Sequence, residues 1–220
     1  MDPIIQLWLP ILVSAVVVFF VSFLLHMVVK HHNSDFKQIP DEARIMDELR
    51  KSNIPAGDYV FPFAKDEKER NSQEYKDKFA KGPVAMITVH PSGPMSMGSN
   101  LVMWFIFSIV VGIFTAYIAG HALAPGAHYL AIFRFAGATA FVGYSLALAH
   151  DSIWYARKWS TTLKYVFDGL IYALLTGGIF GWVWPVSYTH LRAHETGLDL
   201  VCRLLLEKKK KIKQLATNKT

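Results

Sequence analysis

Apolar residues along this chain are gathered into long blocks instead of alternating with polar ones. Four runs stand out, Ile4–Val29, Leu101–Ala122, Tyr129–Ala149 and Tyr165–Trp184. Each is near the roughly 20 residues that cross about 30 Å of hydrocarbon at 1.5 Å per residue. The pattern predicts an all-α membrane protein with four transmembrane helices in a bundle, over residues 1–29, 100–122, 129–150 and 163–184. The first run opens Met-Asp-Pro, has no Lys or Arg before the apolar stretch and no small-residue cleavage site. It therefore reads as an anchor and not as a cleaved signal peptide.

Between spans 1 and 2 lies a polar segment, 30–99, with a pattern of its own. Pro40-Asp-Glu followed by Ile45, Met46 and Leu49 places acidic residues at a helix start ahead of an apolar face, predicting a short amphipathic helix over 41–52. Residues 59–63 and 84–89, rich in aromatic and β-branched side chains, read as short strands separated by a charged, helical or mobile stretch, Lys65–Lys81. Pro91-Ser-Gly-Pro94 turns the chain into span 2. The expectation is a small α+β segment against one membrane face.

Two spans carry small residues at four-residue steps: Ser108, Gly112, Ala116 and Gly120 in span 2, and Gly169, Ala173, Gly177 and Gly181 in span 4. That spacing keeps them on one helix face, where backbones approach closely without any hydrophobic drive between helices in lipid. They are read as helix-packing seams.

Composition agrees with the pattern. At 52% hydrophobic residues the chain is too apolar for an ordinary soluble domain. Its net charge of +6 is unevenly spread, with +1 in residues 1–185 and +5 in residues 186–220. The excess of basic residues thus belongs to the tail and does not suggest a nucleic-acid-binding domain. Val186-Ser-Tyr-Thr-His-Leu-Arg-Ala-His-Glu-Thr196 back-translates to a sequence that resembles the end of a transposase-based sequencing-library adapter. After a gap of index length, Asp199–Glu207 resembles the flow-cell end of the same adapter in the same frame, and Lys208–Lys211 is what an adenine run encodes. Residues 186–220 are accordingly expected to be non-native read-through, with the native protein interrupted near Pro185. The alternative is an amphipathic basic helix, Leu198–Lys213, lying on anionic lipid. Cys202, the sole cysteine, falls in this tail, so no disulfide or thiol chemistry is expected in 1–185.

Basic residues also suggest an orientation. Eleven Lys and Arg lie in Lys30–Lys81 and three more, Arg157, Lys158 and Lys164, between spans 3 and 4, whereas none precedes span 1 or lies in Gly120–His128. The positive-inside rule then places the N-terminus outside and the 30–99 loop in the cytoplasm.

Ionisable groups within spans are costly and merit individual attention. His26, His150, Asp151, Asp168, Tyr172 and Thr176 are expected at similar depth on the inner side, as a candidate polar pocket for proton or cation handling. The plainer reading leaves the histidines in interfacial water and Asp168 capped by its own first turn or paired with Lys164. Arg134, with Tyr117 and His121 nearby, is a candidate anion or headgroup contact, or an arginine snorkelling to the outer surface. His26 and His150 are of the type that ligates haem, and Met86, His90, Met95 and Met97 offer donors that suit Cu(I). The histidines, however, cluster at interfaces and the methionines read as apolar filling, so no cofactor, metal or catalytic residue is assigned. Phosphate loops, dinucleotide fingerprints, His-Glu-x-x-His and Gly-x-Ser-x-Gly do not occur, which leaves an enzyme the less expected reading.

Pro40-Asp-Glu, Ile54-Pro-Ala-Gly-Asp-Tyr-Val-Phe-Pro62, Lys81-Gly-Pro-Val-Ala-Met86 and His90-Pro-Ser-Gly-Pro-Met95, set beside four spans, resemble a family of small bacterial four-span inner-membrane proteins. The resemblance covers roughly residues 1–185. It implies an integral protein of the bacterial inner membrane and brings neither an activity nor a site residue. The partners expected are the lipid bilayer and a homo-oligomer or another membrane protein, not nucleic acid. The functional expectation is a structural or partner-binding membrane protein, with small-solute, proton or cation handling through the polar pocket as the alternative.

Overall fold

A computed structural model describes residues 3–94 and 96–185. Met95, the tail residues 186–220, and with them Cys202 and the 198–213 helix, lie outside the described residues. A turn of helix, α1 (Pro3–Gln6), leads into α2 (Trp8–Phe23), which widens into a π-helical stretch, Leu24–Val29. Then come a 3-10 turn (His31–Ser34), α3 (Glu42–Lys51), β1 (Gly57–Phe61), α4 (Glu67–Arg70), α5 (Gln73–Lys81) and β2 (Ala85–Val89). The chain continues through α6 (Gly98–Ala122), α7 (Tyr129–Ser145), a 3-10 turn (Leu146–Leu148), α8 (Ala149–Trp154) and α9 (Trp159–Trp182). Four helical stretches, Trp8–Val29, Gly98–Ala122, Tyr129–Trp154 and Trp159–Trp182, are long and apolar enough to cross a membrane. The third is longer than the 129–150 read from sequence because Ala149–Trp154 re-forms helix after the 3-10 turn.

By internal contacts the described residues divide into two compact units, 3–18, 108–140 and 173–185 in the first, and 19–94, 96–107 and 141–172 in the second. In the first, Leu7, Ile11, Ala116, Ile132, Ala136 and Phe180 form a buried apolar cluster. Hydroxyls buried among them are satisfied within their own helices, Ser14 Oγ donating to the Ile11 carbonyl (3.0 Å) and Thr115 Oγ1 to that of Val111 (2.8 Å). Such bonds are what an apolar surrounding demands of a polar group.

Glycines set the closest approaches in this unit. A Cβ on Gly177 would lie 2.9 Å from the Phe133 carbonyl oxygen and 3.1 Å from Gly137 Cα, and one on Gly112 would lie 3.1 Å from Ile11 Cγ2. Both positions therefore meet other residues of the same chain. Gly181 is covered by the Tyr129 ring, 2.6 Å from where a Cβ would stand. Ser108 and Ala116 are buried and Gly120 half-buried.

In the second unit, β1 and β2 pair antiparallel, Gly57 opposite Val89 through Phe61 opposite Ala85. β1 ends before Pro62, which has no N–H to continue the ladder. Asp66 and Ser72 cap α4 and α5 with side-chain oxygens that accept from Glu69 N (2.7 Å) and Tyr75 N (3.2 Å). From Phe36 to Pro94 no residue is buried. The helices and hairpin of this segment thus have local hydrogen bonds but no core of their own, and a lone two-stranded hairpin is marginal in water. Further along, Ser152 and Thr162, both buried, share a hydroxyl–hydroxyl bond of 2.7 Å between α8 and α9.

Candidate functional site

The site begins where the first long helix ends. Lys30 adopts a left-handed conformation (φ 53°), which stops the helix and turns the chain into the 3-10 turn His31–Ser34. A non-glycine residue rarely accepts that geometry, and here it aims two consecutive imidazoles at α9. Asp168 receives them. Its side chain is 2% exposed, with His32 Nε2 2.8 Å from Oδ2 and His31 Nε2 3.0 Å from Oδ1. The His31 contact is close enough for an ion pair but is not aligned as a hydrogen bond, so Asp168 Oδ1 and both His31 ring nitrogens are buried without a hydrogen-bond partner among the described residues. No Lys or Arg among the described residues pairs with Asp168.

A second carboxylate orients His32 from the other side. Asp35 Oδ2 lies 2.6 Å from His32 Nδ1, and carboxylate oxygens only accept, so both His32 ring nitrogens act as donors. Lys164 Nζ donates to Asp35 Oδ1 (2.6 Å), to Ser34 Oγ (2.7 Å) and to the His31 carbonyl (2.7 Å). Burial pushes the Asp35 carboxyl up, but the Lys164 and His32 hydrogen bonds and charges outweigh it and hold the group below the usual carboxylate range. Asp35 is therefore ionised at neutral pH. The pairing of Lys164 with Asp168 read from their four-residue spacing is corrected: Lys164 is occupied by the 31–35 turn.

His26, from the π-helical stretch, completes the cluster. Its Nδ1 donates to the Ser22 carbonyl (2.9 Å), leaving Nε2 with its lone pair. Its ring stacks on His32 at 4.8 Å between centroids. Tyr165 also packs against His32 (4.2 Å), with its ring 6.5 Å from that of His26, and Arg157 sits 4.8 Å over the Tyr165 ring. One donor atom each from His26, His32 and Asp168 lie within 4.8 Å of one another. Beside them is a cavity of about 620 Å³ walled largely by Phe19, Phe23, Trp104, Phe107, Tyr144 and Tyr172, with His26 and Asp168 among its few polar linings.

The six residues expected to form a pocket are thus only partly brought together. His26, Asp168 and Tyr172 share the cavity. His150 is exposed and packs against Tyr155 (5.5 Å), while Asp151 pairs with Arg157 (3.4 Å), so neither belongs to the cluster. Thr176 is buried two turns beyond Asp168 on α9 and falls in the other unit. His31, His32 and Asp35 were absent from the expected set. Their signal was a His-His pair with Asp three residues on, directly after a span, in a chain whose fourth span holds a carboxylate.

Tyr117 and His121 contact each other, ring to ring at 4.5 Å and through His121 Nδ1 to the Tyr117 carbonyl at 2.7 Å. Arg134 is exposed on α7 and hydrogen-bonds to neither. Met86 and His90 are exposed on and after β2, and Met97 lines the cavity. No family model, curated protein or solved structure matches this chain.

Proposed function

We propose that this chain is an integral membrane protein that binds and passes a cation at Asp168. The observation that carries the reading is a buried carboxylate, within a helix long enough to span a bilayer, whose oxygens face two imidazoles and, among the described residues, no Lys or Arg. A carboxylate in such surroundings is tolerable only with a compensating charge, which the donating His32 supplies here and a bound cation would supply in its place. The neighbouring cavity gives a cation room to approach.

In this reading the four spans form a bundle in a bacterial inner membrane, as the resemblance of residues 1–185 suggests. The N-terminus is outside and the 30–99 loop cytoplasmic. Asp168, nine residues into α9 from Trp159 and so about 14 Å along the helix axis, then opens toward the cytoplasmic side. A structural or partner-binding role is the second reading; at Gly112 and Gly177, two of the eight seam residues, the close contacts are with residues of the same chain and leave no room there for a partner helix.

The experiment is flux into proteoliposomes loaded with ion indicators and challenged in turn with K⁺, Na⁺, Mn²⁺ and Zn²⁺. One of these ions is expected to enter with the wild-type protein and not with Asp168→Asn. Equal fluxes in the two proteins, or none with any ion, would overturn the reading.

A further inference from the structure

The donor set around Asp168 is more selective than a bare carboxylate. We propose that His26, His32 and Asp168 form a binding site for a divalent d-block cation of the zinc class, with His31 as the adjacent fourth donor. This deepens the cation reading above and rests on the same site. Three observations support it.

The donors already converge. One atom each from His26, His32 and Asp168 lie within 4.8 Å of one another, against a ligand–ligand separation of about 3.4 Å for tetrahedral bonds near 2.1 Å. Closing on an ion requires shifts of about an ångström, within reach of His26, which is exposed and stands on the irregular π-helical stretch.

Both imidazoles also carry the outer support that metal-bound histidines need. A ligating histidine donates its other ring N–H to a carbonyl or carboxylate, which fixes its tautomer and aim. His26 Nδ1 does so to the Ser22 carbonyl (2.9 Å) and His32 Nδ1 to Asp35 (2.6 Å), and Asp35 is itself held by Lys164. In each ring the supported nitrogen is Nδ1; Nε2 of His26 is left with its lone pair, and Nε2 of His32 becomes a ligand once it gives up the proton it shares with Asp168.

The third observation is unmet bonding capacity. Asp168 Oδ1, on a side chain 2% exposed, faces His31 Nε2 at 3.0 Å without hydrogen-bond alignment, and neither these two atoms nor the buried His31 Nδ1 has a hydrogen-bond partner among the described residues. Buried polar atoms are rarely left so, and an ion is one of the few things that satisfies a carboxylate oxygen and an imidazole nitrogen together. Mixed imidazole and carboxylate donors favour zinc, iron or nickel over calcium or magnesium, which take all-oxygen sites. Binding replaces the proton that His32 Nε2 donates to Asp168 and releases it to solvent.

The test is Co²⁺ titration of the purified full-length chain in detergent after chelator treatment, followed by visible absorption. The expected result is one ion per chain with the d–d bands of a low-coordinate nitrogen–oxygen site, and displacement of those bands by Zn²⁺. His26→Gln should weaken binding at least about tenfold, and Asp35→Asn, which touches no ion, should weaken it about 10- to 100-fold. His150→Gln should leave it unchanged. All variants keep the histidines of residues 186–220, so differences among them belong to the site. His26 is exposed, so His26→Gln is expected to fold, which far-ultraviolet circular dichroism checks. A folded His26→Gln protein with wild-type Co²⁺ affinity, or a wild-type protein with no such bands, overturns the proposal. Co²⁺ binding without Asp168-dependent flux would retain the site and refute passage; Asp168-dependent K⁺ or Na⁺ flux without Co²⁺ binding would do the reverse.

Discussion

Gly177→Ala tests the tightest approach to backbone atoms in the first unit with a single methyl group. The added Cβ would stand 2.9 Å from the Phe133 carbonyl oxygen and 3.1 Å from Gly137 Cα and N. All three are backbone atoms, so no side chain can swing away and α7 must move. Restoring contact to about 3.4 Å asks for a separation of roughly half an ångström, and a gap of that size forfeits about a quarter of each dispersion contact along the seam. Overpacking of this kind costs about 1–3 kcal/mol. Alanine's helix preference over glycine, about 0.5–1 kcal/mol, opposes that cost. The net expectation is a loss of up to about 2.5 kcal/mol. Gly178→Ala is the matched control, because its nearest neighbour, Tyr129 OH, would be 3.8 Å away and only the helix preference acts. Unfolding in mixed micelles by SDS titration, followed by circular dichroism, should place Gly177→Ala below wild type and Gly178→Ala at or above it. If Gly177→Ala proved as stable as Gly178→Ala, the close approach of α9 to α7 would be wrong.

Two further outcomes follow from the loops. Asp35→Asn removes the charged acceptor of both Lys164 and His32, and since Lys164 keeps Ser34 and the His31 carbonyl, the loss should be about 1.5–3 kcal/mol in the same titration; an unchanged midpoint would mean that the turn is not held there. On a Cys202→Ser background, a cysteine at Ala127 should react with an impermeant thiol reagent in intact cells and one at the exposed Lys68 should not, and the opposite pattern would invert the proposed orientation.

The long helices were legible because burial in lipid leaves a run-length signal that a single sequence carries in full. The hairpin and α3 were legible too, from aromatic and β-branched runs and from an acidic helix start, with ends shifted by one or two residues. The cluster was not. Asp168 was visible as an ionisable residue in a span, and the four-residue rule offered Lys164 as its partner. That rule ranks neighbours on one helix and cannot see competitors that arrive from elsewhere. The competitors are the His31 carbonyl, Ser34 and Asp35, and His32 reaches Asp168 across 136 residues of sequence. What brings them is the left-handed Lys30, a conformation that nothing in the residue type foretells. Reading His31, His32 and Asp35 as loop residues followed from their place after a span, where polar side chains ordinarily face water.

Everything proposed for Asp168 depends on His32 lying against its carboxylate, and a double-mutant cycle measures that contact. Wild type, His32→Gln, Asp168→Asn and the double variant are unfolded in SDS with chelator present, so that no metal contributes. The imidazole–carboxylate contact of 2.8 Å on a side chain 2% exposed predicts a coupling energy of about 1–3 kcal/mol. Single-variant losses that simply add, to within about 0.5 kcal/mol, would contradict it.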